Sequence, residues 1–207
     1  AGSNPTATGR LTGYHPGCYE FPRTPAERDE ICIGAILTQN TAWTNVEIAL
    51  LRLRSLDALR PSALLAMAPE ALEEAIRPSG YFRAKARKLR AWAAFRERLR
   101  DRVPSRQDLL GVWGIGPETA DSIRLYAYSQ AEMVVDAYTT RILAAVGLVL
   151  PKAPYDRVKS VCFQGLPEDV RVFQEFHALM VEHGKRLGRR AGGLLPVVLP
   201  GGPVRRD

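Results

Sequence analysis

Prolines set between stretches of helical periodicity limit what this chain can become. From Pro25 onward apolar residues recur at three- and four-residue spacing, and the alternation expected of strands is almost absent. The pattern breaks at Arg60-Pro61-Ser62, Ala68-Pro69, Arg77-Pro78-Ser79-Gly80, Val103-Pro104-Ser105 and Leu150-Pro151. At each of these points proline removes a backbone donor and pushes its predecessor away from helical angles. An all-α fold with short connections follows. Thr24-Pro25-Ala26-Glu27 supplies an N-cap, a proline for the first turn and a reciprocal acid, so the first helix starts there and runs through Ile31, Ile33, Ile36 and Leu37. Further helices are predicted near 42–56, 62–67, 69–76, 83–100, 105–110, 117–128, 136–146, 154–164 and 168–188. After Arg190 the periodicity stops, which predicts a loosely packed tail.

At 207 residues with 25% charged side chains, the chain can bury the core of one domain or of two close lobes. Its longest apolar runs, Val146 to Leu150 and Leu194 to Leu199, are far below the roughly 20 residues that cross a bilayer. With no apolar leader after a basic start, a soluble, cytoplasmic, monomeric protein is expected, and Ala1, Gly2 and Ser3 look like a remnant of expression. Cys18, Cys32 and Cys162 are too far apart to form a CxxC pair, so free thiols are expected, with Cys32 in the core. The net charge of +7 and pI near 9.6 point to a polyanionic partner. The excess is concentrated between Arg83 and Arg100, where eight basic residues face the single acid Glu97. Leu89, Trp92, Phe95 and Leu99 give that helix an apolar side, so its cations either form a solvated face or contact phosphates.

The segment from Leu109 to Ile123, Leu-Leu-Gly-Val-Trp-Gly-Ile-Gly-Pro-Glu-Thr-Ala-Asp-Ser-Ile, reads as helix, tight turn, helix. Gly114 and Gly116 let the backbone approach a ligand, while Ile115 between them can plug the core. Their amides then lie beside the helix start at Pro117, where unpaired donors and the dipole favour a phosphate oxygen, held directly or through a monovalent cation at the backbone of 112–116. An ordinary glycine turn is the alternative. Twenty residues past Gly116, the apolar Met133-Val134-Val135 delivers Asp136 to the start of another helix, where it can serve as a plain N-cap or as a chemical group.

These two segments resemble the endonuclease III branch of the helix-hairpin-helix (HhH-GPD) DNA glycosylases. So do Ala35-Ile36-Leu37-Thr38-Gln39-Asn40-Thr41, Gly80-Tyr81-Phe82-Arg83-Ala84-Lys85-Ala86, and Phe176 to Lys185, in the family's order. The resemblance implies a two-lobed all-helical fold. A six-helix lobe over 29–136 would contain the hairpin at about 105–128, and residues 1–28 and 137–207 would form the second lobe. Double-stranded DNA would enter the cleft between them, with a nucleotide flipped from the stack. On this resemblance Asn40 is the candidate plug, Tyr81 or Phe82 the candidate wedge, and Gln39, Lys85, Gly114, Ile115, Gly116 and Thr119 further DNA-binding residues. Core packing is the alternative for the aromatics.

Two departures narrow the expectation. Bifunctional relatives carry an attacking lysine two residues after the second hairpin glycine, and here that position is Glu118. A carboxylate cannot form the imine, which implies a monofunctional glycosylase with Asp136 as the catalytic carboxylate. The same exchange occurs in enzymes resembling 3-methyladenine glycosylases, so an alkylated purine is the expected lesion and Trp43, Glu118 and Tyr138 the expected base pocket, with simple core packing the alternative for Trp43 and a first-turn helix acid the alternative for Glu118. The alternatives are a glycosylase with AP lyase activity on oxidised pyrimidines and a catalytically weak DNA-binding paralogue. Many relatives bind a [4Fe–4S] cluster through four cysteines after the position of Lys185. Gly188 takes the first ligand position here and Arg189 to Gly202 hold no sulfur, so no cluster and no other cofactor are expected.

Overall fold

The computed structural model describes residues 19–188, which form ten α-helices and no strand. The tail after Arg190, residues 1–18 and Cys18 lie outside the described residues. By backbone contacts the described chain divides into two compact units, 19–132 and 133–188.

In the first unit α1 (Pro25–Leu37) begins at the predicted capping box: the Glu27 amide donates to Thr24 Oγ1 at 3.2 Å, and the Thr24 amide to Glu27 Oε2 at 3.1 Å. The helices α2 (Trp43–Ser55), α3 (Pro61–Ala66), α4 (Pro69–Ile76) and α5 (Phe82–Leu99) follow, with a single 3-10 turn at Arg77–Ser79. Proline opens α1, α3 and α4, where its missing N–H has no partner to lose. The core gathers Cys32, Ile33, Ile36 and Leu37 of α1 with Leu53, Leu64, Leu72, Ile76, Leu89 and Trp92, all shut off from solvent. Each such side chain contributes about 1.5–3 kcal/mol by leaving water.

Acids on the inner side of α1 are paired across helices: Asp29 accepts from Arg96 Nε at 2.9 Å, and Glu30 from Arg54 Nη2 at 2.6 Å. Burial still raises both carboxyls above their ordinary range. The unit ends with α6 (Arg106–Leu110) and α7 (Pro117–Ser122). The helix predicted over 117–128 stops being α-helical after Ser122 and widens into a π turn, Ile123–Ala127. Ile123, Leu125 and Ala127 are all buried there, and α1 packs against the turn.

One expected DNA contact is corrected here. Lys85 is only 2% exposed, and its ammonium donates to the Leu37 carbonyl at 2.8 Å and the Ser79 carbonyl at 2.6 Å. It closes the C-terminal end of α1 and the 3-10 turn from inside, at the end of the helix where a cation is favoured. Burial and the neighbouring Lys88 charge bring its pKa down to about 8, so it remains mostly protonated at neutral pH. The sequence shows a lysine in a basic run; the register of α5 turns it inward, on the face of Leu89 and Trp92.

In the second unit the buried residues Met133, Val134 and Val135 lead into α8 (Ala137–Ala145), followed by α9 (Tyr155–Gly165) and α10 (Val170–Gly188). The Val135 amide donates to Tyr155 Oη at 3.3 Å. Phe163 and Phe173 meet edge to face at 5.1 Å, joining α9 to α10. At Gly184 α10 lies directly against the Tyr138 ring, and a Cβ there would stand 2.2 Å from Tyr138 Cδ1.

Replacing Lys85 by methionine strands two buried carbonyls. The expected loss is about 1–3 kcal/mol of stability, read as a lower urea midpoint with an unchanged m-value. An unchanged midpoint would show that the ammonium contributes nothing net.

Candidate functional site

The turn between α6 and α7 is built by short-range chemistry. A second capping box opens α6, with the Asp108 amide donating to Ser105 Oγ at 3.0 Å and the Ser105 amide to Asp108 Oδ2 at 2.9 Å. Arg106 Nε clasps the buried Asp121 carboxylate at 2.8 Å, locking α6 to α7. Between the helices the Ile115 amide donates to the Val112 carbonyl at 3.1 Å and the Ile115 side chain enters the core, as predicted. Among the described residues the amides of Gly114 and Gly116 have no partner.

The two glycines are required for different reasons. Gly114 has φ +86°, and a Cβ on it would lie 2.4 Å from Lys88 Cγ, so both the backbone angle and the packing exclude a side chain. Gly116 has φ −93°, which any residue adopts, and a Cβ there would meet nothing within 4 Å. The protein's own packing does not need Gly116. The open space in front of it lies at the start of α7, beside unpaired donors, where an anion is favoured.

Gln39 and Thr119, expected at the DNA, turn inward to hold this turn. Gln39 Nε2 donates to the Gly114 carbonyl at 3.2 Å and to Thr119 Oγ1 at 3.0 Å, while Lys88 Nζ donates to Gln39 Oε1. With Val112 O accepting from Ile115 and Gly114 O from Gln39, two carbonyls of the expected cation site already have protein donors. Asn40, next in the chain, is exposed in the left-handed conformation at φ +54°. Asparagine tolerates that region better than most residues. Of the two candidate wedges, Phe82 packs against the core under Arg77, 4.5 Å from its ring centre, whereas Tyr81 is 72% exposed at φ +46°. A bulky residue held at positive φ with its ring in solvent is strained in a way the interior does not use.

The expected pocket residues fall as follows. Trp43 opens α2, half-buried over Gly34, and its Nε1 is buried with no partner among the described residues. Glu118 is an exposed first-turn acid of α7. Tyr138 lies on Gly184, with the Arg141 guanidinium 4.8 Å from its ring centre.

In the structure Asp136 takes the first of the two roles that the sequence left open. It is the N-cap of α8, its Oδ1 accepting from the Thr139 amide at 2.7 Å, and its side chain is 12% exposed. The other oxygen, Oδ2, lies 4.0 Å from His177 Nε2. Burial pushes the His177 imidazole well below its ordinary range, so it faces the carboxylate as a neutral ring. Sequence reasoning missed this neighbour, although His177 lies on the inner side of α10 one position from Phe176 in the quoted helix motif. It missed the Gln39–Lys88 contact as well. No single-chain signal joins residues 49 apart.

Residues 33–168 match the family model described as HhH-GPD superfamily base excision DNA repair protein. The chain is 41% identical over 178 residues to MJ1434 of Methanocaldococcus jannaschii, assigned as a DNA repair glycosylase, covering 80% of this chain and 81% of that protein. It is 30% identical over 171 residues to endonuclease III of Thermotoga maritima, covering 81% and 78%. Among solved structures it is similar to the H. pylori 3-methyladenine DNA glycosylase MagIII bound to 1,N6-ethenoadenine. That likeness has TM-score 0.68 and 27% identity, and covers 76% of this chain and 84% of the other.

The two hairpin glycines should separate in experiment. Gly114→Ala should cost stability, by about 1–3 kcal/mol from the backbone alone. Gly116→Val should leave the melting temperature in place and weaken binding to undamaged duplex DNA by tenfold or more in a fluorescence anisotropy titration. Unchanged affinity in Gly116→Val would reduce the hairpin to a structural turn.

Proposed function

Because the chain belongs to the HhH-GPD superfamily of base excision DNA repair proteins, we propose that it is a monofunctional DNA glycosylase that releases alkylated purines, with Asp136 as its catalytic carboxylate. The observation that carries this reading is the state of Asp136: one oxygen fixed by the α8 backbone, the other turned toward a neutral histidine, on a side chain that keeps some access to solvent.

In this reading the hairpin amides hold a backbone phosphate of double-stranded DNA, and the damaged nucleotide leaves the stack. The C1′–N bond breaks with its electron pair departing on the base. If the purine is alkylated and already positive, that pair neutralises it, and no proton need be supplied. Positive charge appears on the sugar, where the Asp136 carboxylate stabilises it. Water then adds to C1′, releasing its proton to Asp136 or to solvent, and the products are a free base and an abasic site. Asn40 is the candidate to fill the vacated space and Tyr81 the candidate wedge. Trp43, with its unpaired indole N–H, is the candidate surface for the base.

Glu118 supports hydrolysis without strand cleavage, since it stands where bifunctional enzymes need an amine. Lys85 is no substitute, with its ammonium held by two carbonyls. The MagIII likeness supports an alkylated purine as the lesion, because that relative is named for 3-methyladenine. We read the chain as free of an iron–sulfur cluster on ligand count: three cysteines cannot supply four thiolates, and Cys32 and Cys162 are buried in different units.

Asp136→Asn preserves the helix cap, since asparagine caps as well as aspartate, and removes the charge. Base release from alkylated DNA should fall by a factor of at least about a thousand while duplex affinity stays within a few-fold; persistent release would mean that another group does the chemistry. With the wild-type enzyme and an abasic-site oligonucleotide, borohydride should trap no covalent adduct. A trapped adduct would overturn the monofunctional assignment.

A further inference from the structure

The cations of α5 are not equivalent. Lys85 is consumed by two carbonyls, Lys88 by Gln39, Arg90 by the carbonyls of Leu64 and Met67 at 3.3 and 3.0 Å, and Arg96 by Asp29; Arg83 lies 3.7 Å from Glu73. Arg87 has no hydrogen bond or ion pair among the described residues, and its one contact is a stack: its guanidinium lies 4.4 Å from the ring centre of Trp113. Trp113 sits in the hairpin itself, next to Gly114, and is 51% exposed. Half of this large aromatic remains in solvent, beside two unpaired backbone amides.

We infer that Arg87, stacked on Trp113, is a second phosphodiester-binding point, holding a phosphate of the same DNA strand that the Gly114 and Gly116 amides engage. The inference rests on the reading of the hairpin given above. Stacking occupies one face of the guanidinium and leaves its in-plane N–H edge free, the edge that matches phosphate oxygens in pairs. It also fixes a long side chain before the ligand arrives, so less freedom is lost on binding. Lys88, one residue on, packs its methylenes over Gly114 and joins this stretch of α5 to the hairpin, so the two binding points move as one body. Trp113 also lines a groove of about 530 Å³ with Ala91, Phe95, Arg98 and Val112. Asp108 lines the same groove.

The test is anisotropy with an undamaged duplex across a salt series, using the full chain as wild type, R87A, R87K, W113L and Gly116→Val, with melting temperatures as a folding control. For R87A the slope of log K against log salt should fall by about 0.9, the value for one lost phosphate contact on B-DNA, with several-fold weaker binding. R87K should keep the slope but bind more weakly, as should W113L, because both lose the stack without losing the charge. An R87A slope equal to wild type, or R87K binding as tightly as wild type, would overturn the inference. Wild-type affinity in Gly116→Val would instead refute the hairpin reading, and a wild-type enzyme that releases no base would refute the glycosylase reading while leaving the Arg87 slope as measured.

Discussion

The stretch from Leu37 to Asn40, where the chain leaves α1, holds the first unit's working surface together. A helix end leaves carbonyls that must find donors. Here Lys85 reaches through the core to supply one of them at Leu37, and two residues later the Gln39 amide ties the same stretch to the Gly114 carbonyl and the Thr119 hydroxyl. Asn40 follows at positive φ, in solvent. The stretch that ends α1 and the hairpin are thus bonded through Gln39, whose neighbour in the chain is the exposed asparagine. Lys88 completes the set by orienting the Gln39 amide, its carbonyl oxygen taking the ammonium and its NH₂ the two acceptors.

The positive charge of α5 follows from this arrangement. A helix with seven cations invites a description as a binding face, yet much of that charge satisfies buried acceptors or pairs with acids of α1 and α4. Only the charge paired with an acid is cancelled when seen from outside; a cation bonded to neutral carbonyls keeps its own. Contributions to long-range attraction come from the cations left without an acid partner.

Helix positions were legible in the sequence because proline and capping residues act locally: Thr24 with Glu27, and the prolines at 25, 61 and 69, do in the structure what their chemistry dictates. The hairpin glycines and the helix start at Asp136 were legible for the same reason. What could not be read depends on register and on distant partners. Lys85 and Arg87 are both basic residues on one helix, and only the packing of α5 shows that one is core and the other surface. Tyr81 and Phe82 were interchangeable until the backbone turned left-handed between them and the 3-10 turn, sending one ring into solvent. The π turn after Ser122 was hidden because a widened turn keeps its apolar residues and shifts only their angles. Gln39 lies 75 residues from its partner Gly114, a separation that no local pattern spans.

Gly184 shows how far such dependence reaches in the second unit. The Tyr138 ring occupies the volume a β-carbon would need there, so α10 lies against α8 only while that position stays bare. Any side chain acquired at 184 would push the aromatic ring aside, and with it the opening turn of α8 that Asp136 caps, two residues before the tyrosine. A mutation 48 positions along the chain could thus misalign the acid without altering it, so tolerance to sequence drift in α10 is set by the geometry of another helix.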